Sequence, residues 1–174
     1  MDISKARIAG PCTVVFNGVN MGHTLDGITF SNERSFADVF VDKYGDTPID
    51  KVLTGQKVFL RFKLAQPDWR QYNLAIPETS SYDGAGTADR VDLGADAGTS
   101  LRQDAAPLVI HPMKNAATNY VDDITLYLAV SVENIEVPYN NEDQQAIEVT
   151  MEAFVSEAYG SGRRLGHIGP ADVS

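Results

Sequence analysis

Lys57-Val58-Phe59-Leu60-Arg61-Phe62-Lys63-Leu64 sets Val58, Leu60, Phe62 and Leu64 against Lys57, Phe59, Arg61 and Lys63. A period of two places one set of side chains on each face of a strand, so this octet predicts a β-strand with one oily and one wet side. Two later segments repeat the pattern. Ile124, Leu126, Leu128, Val130 and Val132 alternate with Thr125, Tyr127, Ala129, Ser131 and Glu133. Ile147, Val149, Met151, Ala153 and Val155 alternate with Glu148, Thr150, Glu152 and Phe154. Strands of this kind pair antiparallel, with one face on a core.

Working outward, Thr13-Val14-Val15-Phe16 runs into Asn17-Gly18 and then Val19-Asn20-Met21. Asn-Gly tolerates the positive φ angles of a tight turn, which predicts a hairpin. From Gly27 to Asp42 the chain is extended, with Ile28 and Phe30 on one parity and Ala37, Val39 and Val41 on the other; the switch near Asn32 to Ser35 suggests a turn or bulge. One helix is expected. After Gln66-Pro67, the residues Asp68 to Ile76 place Trp69, Tyr72 and Ile76 at helical spacing, with Asp68 at the N-terminus and Pro77 as a stop. That stripe reads as the helix's core face.

From Glu78 to Pro107 the sequence is polar and small and shows no periodicity, so it is expected to be a loop that is mobile or held by a partner. The tail from Tyr159 to Ser174 is similarly glycine-rich. With 174 residues, 43% of them hydrophobic, and neither an internal repeat nor a linker, residues 1–174 are expected to form one domain. The class expected is mainly β, an antiparallel β-sandwich or half-barrel with one flanking α-helix and a long loop.

The formal net charge of −10 is unevenly placed. Glu78 to Asp104 holds six acids against Arg90 and Arg102, and Glu133 to Glu152 holds six acids and no base, so these stretches account for the whole excess. Binding to phosphate backbones is driven by Lys and Arg displacing counterions, which argues against sequence-reading DNA or RNA recognition. The acidity fits solubility or a surface that must repel a polyanion. The opening Met1 to Arg7 lacks a signal peptide's apolar stretch, and no run reaches the roughly 20 apolar residues of a membrane helix, so a soluble chain made in a cytoplasm is expected.

Residues that bear chemistry do not converge. Cys12 is the single cysteine, which leaves no intramolecular disulfide and no paired-cysteine zinc site; it reads as a small hydrophobe. His23, His111 and His167 stand far apart in no metal-ligand spacing. There is no nucleophile elbow, and Gly55-Gln56-Lys57 lacks the preceding glycine of a P-loop. Asp83, Asp89, Asp92 and Asp96 do not match the twelve-residue calcium loop. Asp122 with Asp123 and Glu142 with Asp143 are neighbours beside expected turns, a poor arrangement for an acid and base. We therefore expect no catalytic residues, no metal and no cofactor.

The order of features resembles the tail tube (major tail) proteins of long-tailed bacteriophages. The similarity lies in Gly10-Pro11-Cys12-Thr13-Val14-Val15-Phe16-Asn17-Gly18, Gly22-His23-Thr24, Asp26-Gly27-Ile28-Thr29 and Val41 to Asp50. It continues in Gly55, the Ala65 to Pro77 helix, Ile147 to Phe154 and Leu165-Gly166-His167-Ile168-Gly169. The resemblance implies a structural virion protein whose six copies close a ring, with inner strands joined into one barrel and rings stacked into a hollow tube through which DNA passes. It implies tail tip, tape measure and terminator proteins as further partners, and assembly in the host cytoplasm. A tube subunit of a contractile injection or type VI secretion-like machine shares the architecture, and a carbohydrate-binding β-sandwich is a more distant alternative.

Two surfaces follow as expectations. The loop from Asp42 to Asp50, with Asp42, Lys43, Tyr44, Gly45, Asp46 and Pro48, combines turn chemistry with mixed charge and is expected to join stacked rings. In the 78–107 segment, Leu93 and Leu101 are the expected anchors on a neighbour, while Arg90 and Arg102 could pair with its acids. Glu148 and Glu152 are candidates for a channel wall or for the outer face.

Overall fold

Asn17 and Gly18 both hold positive φ, 49° and 77°, and turn β1 (Cys12–Phe16) into β2 (Val19–Asn20) with Phe16 opposite Val19. The expected hairpin is present. This computed structural model describes residues 10–65, 68–82, 90–137, 146–160, 162 and 164–171. The other strands are β3 (Thr24–Val39), β4 (Asp50–Leu64), β5 (Thr79–Tyr82), β6 (Arg90–Leu93), β7 (Ala106–Pro112), β8 (Ile124–Ser131), β9 (Ile147–Ala153) and β10 (Gly166–Ile168). One α-helix, α1 (Trp69–Ala75), lies between β4 and β5. No helix among the described residues is long and apolar enough to cross a membrane.

The fold is mainly β, and its large sheet is antiparallel throughout, in the order β2-β1-β7-β8-β9-β4-β3. β10 joins β8 outside this path. Ile124 to Leu126 of β8 pair with β10, while Ala129 to Ser131 pair with β9, so one edge of β8 serves two strands in succession and the sheet forks there. Gly166 permits the close approach, because a Cβ at that position would fall on the carbonyl oxygen of Thr125. Folding over brings β1 into contact with β3, the curvature a half-barrel requires.

The core lies on the concave face. Val58, Leu60, Phe62 and Leu64 of β4 are buried, as the alternation predicts, against Ile147, Val149, Met151 and Ala153 of β9 and Val14 and Phe16 of β1. Each of these side chains except the small Ala153 contributes about 1.5–3 kcal/mol relative to exposure. Two alternations need correction. In β8 Leu126 and Val130 are buried as expected, but Ala129 and Ser131 are buried as well and Leu128 is only half-buried, where a register shift against β7 between Ala106 and Leu108 inserts one extra residue in β8 and breaks the alternation. β9 ends at Ala153, and Val155 is exposed.

The helix forms as expected. Asp68 accepts from the backbone N–H of Arg70 and Gln71, and Gln71 Oε1 accepts from the Asp68 N–H, a reciprocal capping box. Its core face differs from the predicted stripe. Tyr72 and Leu74 pack on the core and Ala75 is buried, whereas Trp69 is half-buried beneath the Arg70 guanidinium, 5.1 Å from its ring. The 78–107 segment is also more regular than its composition suggests. It holds the β5–β6 hairpin, a 3₁₀ turn at Leu101–Gln103 and the first residues of β7.

Candidate assembly surface

β3 and β4 pair from Thr24 opposite Leu64 out to Val39 opposite Asp50. Only the near part of this ribbon belongs to the sandwich. β9 borders β4 from Leu64 to Phe59; beyond that, β4 has no second neighbour among the described residues. Every residue from Asn32 to Lys57 is exposed. The distal ribbon is therefore a two-stranded blade projecting from the core.

Its composition is not that of a solvated loop. Cross-strand partners share a face. Phe36 stands opposite Leu53 on one side, and Ala37 opposite Val52 on the other, with Phe36 55%, Val52 50% and Leu53 50% exposed. Both faces thus show apolar side chains to water. The parity switch expected near Asn32 to Ser35 is real as a register shift between Ser35 and Phe36, which leaves Thr54 as the extra residue on β4. However, it does not redirect side chains into the core, because the core ends before it.

The tip is built from the expected loop. Asp42–Tyr44 form a 3₁₀ turn, Gly45 follows at φ 58°, and Ile49 N–H closes the blade on the Val39 carbonyl at 2.9 Å. Asp38 pairs with Lys51 at 3.2 Å, and Lys43 Nζ lies 5.6 Å from the centre of the Tyr44 ring. Asp42, Lys43, Tyr44, Gly45, Asp46 and Pro48 are all exposed, together with Phe40, Val41 and Ile49.

The wet face of the sheet carries charge in pairs. Lys57 meets Glu152 at 3.6 Å, Arg61 meets Glu133 at 3.7 Å, and Lys63 meets Asp26 at 3.3 Å. Thr150, buried on this side, donates to Glu133 at 2.5 Å. Glu148, opposite Lys63, is exposed. The basic column of β4 is thus flanked by acids, Asp26 on β3, Glu152 on β9 and Glu133 just beyond the end of β8.

The other candidate residues are not gathered into one patch. Leu93 is 71% exposed at the end of β6 and Leu101 is half-buried. Arg90 pairs with Asp92 at 3.2 Å, and Arg102 donates to the Val155 carbonyl at 2.9 Å, so both cations engage groups of their own chain. Asp83, Asp89, Glu142 and Asp143 lie outside the described residues.

The tertiary structure makes two pairings that sequence spacing does not reveal. His111 Nδ1 lies 2.7 Å from the buried carboxylate of Asp123, with Tyr120 edge-on to the imidazole, and so ties β7 to the turn before β8. Similarly, His167 meets the Tyr127 hydroxyl at 3.0 Å while Tyr159 stacks on Tyr127, pinning the chain between β9 and β10. His23 is exposed. Burial pushes the Cys12 thiol above its ordinary pKa, against the pull of Lys114. Among the described residues no group of three His, Cys, Asp or Glu could hold a metal ion. No family model matches the chain, and no curated protein matches its sequence.

Proposed function

We propose that this chain is a non-enzymatic structural subunit that assembles with copies of itself into stacked hexameric rings, forming the hollow tail tube of a long-tailed bacteriophage. The observation that carries the reading is the blade: a ribbon whose two faces both present apolar pairs beyond the core. A two-stranded hairpin is at best marginally stable in water, and exposed apolar surface of this kind marks interaction sites. Further copies of the subunit would cover it.

The sequence resemblance supplies the ring and the tube, and the curved antiparallel sheet is compatible with them. Ring closure would also protect the free edge of β3, which otherwise invites uncontrolled strand pairing. The channel wall would be negative or neutral so that DNA slides with little attraction to it, and a lumen lined mainly by Lys57, Arg61 and Lys63 would count against this, because those side chains would grip phosphates. The tip residues 42–48 would join one ring to the next, and assembly would take place in the host cytoplasm before incorporation into the virion. Electron microscopy of the purified protein tests this. Stacked hollow rings are expected, and a discrete monomer at high concentration would refute the reading.

A further inference from the structure

We propose that Asn17 is a site of spontaneous chemical modification, losing its side-chain amide through a cyclic imide formed with the backbone nitrogen of Gly18. This chemistry does not depend on assembly. Of the asparagines in the chain, Asn17 alone precedes a glycine, so no side chain shields the attacking nitrogen. Both residues are exposed, and nothing lies within 4 Å of where a Cβ on Gly18 would stand. Neither the Gly18 N–H nor the Asn17 carboxamide has a hydrogen-bond partner among the described residues. Other carboxamides are held. Asn20 accepts from the Gly22 N–H at 2.9 Å, Asn73 from the Thr79 hydroxyl at 3.0 Å and Asn119 from the Val121 N–H at 3.3 Å, while Asn115 donates to Asp122 at 3.2 Å.

The turn brings the backbone part of the way. Positive φ at both central residues, 49° at Asn17 and 77° at Gly18, is the type I′ arrangement. Ring closure needs the Gly18 nitrogen beside Asn17 Cβ, which for an L residue means ψ near roughly −120°, the value at the first central residue of a type II′ turn. Type II′ keeps φ positive at that residue, so flipping the one peptide between Asn17 and Gly18 suffices. Gly18 tolerates the reversal of its own φ because it has no Cβ.

Once hydroxide removes its proton, the Gly18 nitrogen attacks Asn17 Cγ. The N–Cγ bond forms, the Cγ–Nδ2 bond breaks, and Nδ2 takes a proton from water and leaves as ammonia. Water then opens the ring. Attack at Cγ gives aspartate, and attack at the main-chain carbonyl gives isoaspartate, in which the chain runs through the side-chain carboxyl and is one methylene longer. Either product adds a carboxylate at this turn. Asn17 borders a cleft of about 460 Å³ whose lining already includes Glu78 and Asp104 and no Lys or Arg, so like charges are crowded together. The extra methylene also lengthens a two-residue turn that sets Phe16 opposite Val19 and ties the Asn17 N–H to the Pro107 carbonyl at 2.9 Å. Phe16 is part of the core, so the strain reaches it directly.

Ageing the intact protein in mildly alkaline buffer, followed by peptide mapping with mass spectrometry, tests the site. Asn17 should exchange NH2 for OH roughly tenfold faster than any other asparagine, a barrier difference of about 1.4 kcal/mol. Isoaspartate should be present in the product, detected by labelling with an isoaspartate methyltransferase. No change at Asn17, or equally fast change at another asparagine, would overturn the proposal. Aspartate without isoaspartate would overturn the cyclic imide and leave direct hydrolysis. Melting curves read the consequence. Asn17→Asp, which carries the charge without the methylene, should melt below the parent at low salt and close the gap at high salt, and the isoaspartate fraction should melt lower still. An Asn17→Asp curve that matches the parent at both salt concentrations would overturn the charge crowding, and an isoaspartate fraction as stable as Asn17→Asp would overturn the strain.

Discussion

Val58–Leu64 and Asp50–Lys57 are two halves of one strand, paired to the same partner strand, yet they live in opposite surroundings. In the inner half the apolar residues are buried under β9 and β1. In the outer half Val52 and Leu53 are as apolar as Val58 and Leu60, and they face water. Apolar content alone therefore does not state where a side chain will be buried, nor in which molecule. The inner half is stabilised by its own chain, and the outer half acquires its function from what covers it.

Substitutions in the two halves should separate these roles. Leu60 is fully buried, so Leu60→Ala should cost about 2–5 kcal/mol of folding stability through lost transfer energy and a residual cavity. Urea unfolding of the free subunit measures this, and a loss below about 1 kcal/mol would mean that the inner strand is not packed as described. By contrast, Leu53→Asp should leave that unfolding curve within about 0.5 kcal/mol of the unsubstituted protein and abolish tubes. If it unfolds the subunit instead, the blade belongs to the subunit's own core and the comparison fails.

A smaller effect is expected at the tip. Exchanging charges with Lys43→Glu and Asp46→Lys should block or shorten tubes while sparing folding, because polar contacts at an interface set register and rate more than affinity. Tubes of ordinary length would reduce the tip to a surface turn. Smaller again is the change expected between β6 and β7. Limited proteolysis should cut the exposed stretch from Gly94 to Ser100 in the free subunit, and assembly should protect it, with Leu93 covered by a neighbour. Equal cutting in both states would remove this stretch from the interface.

The smallest effect concerns Cys12 in the inner region. Since burial raises its thiol pKa, less thiolate is present at a given pH, and maleimide labelling should lag behind a free cysteine and rise only at more alkaline pH. Labelling as fast as that of a free thiol would show that the end of β1 opens readily.

Several features were legible in the residues themselves. Asn17-Gly18 specified a hairpin because two successive positive φ angles suit few other pairs. Asp68 specified the start of α1 because backbone N–H groups in a first turn lack partners within the helix. The alternation of β4 and β9 specified which faces meet, since register in a half-buried sheet is fixed by burial. These are local rules, satisfied by residues close together in the chain.

Other features depended on residues that the sequence holds far apart. The break in the alternation of β8 turned on an extra residue defined only against β7, and the Ala153 boundary of β9 on where β8 and β4 part. The Asp123 carboxylate found His111 across a turn, and Phe36 came to share a face with Leu53 from across the blade. The exposure of Asn32 to Lys57 was hidden for the same reason. Alternation reports which side chains share a face, but whether that face meets the core or water depends on how far the other strands reach, and that is decided only when the sheet is assembled.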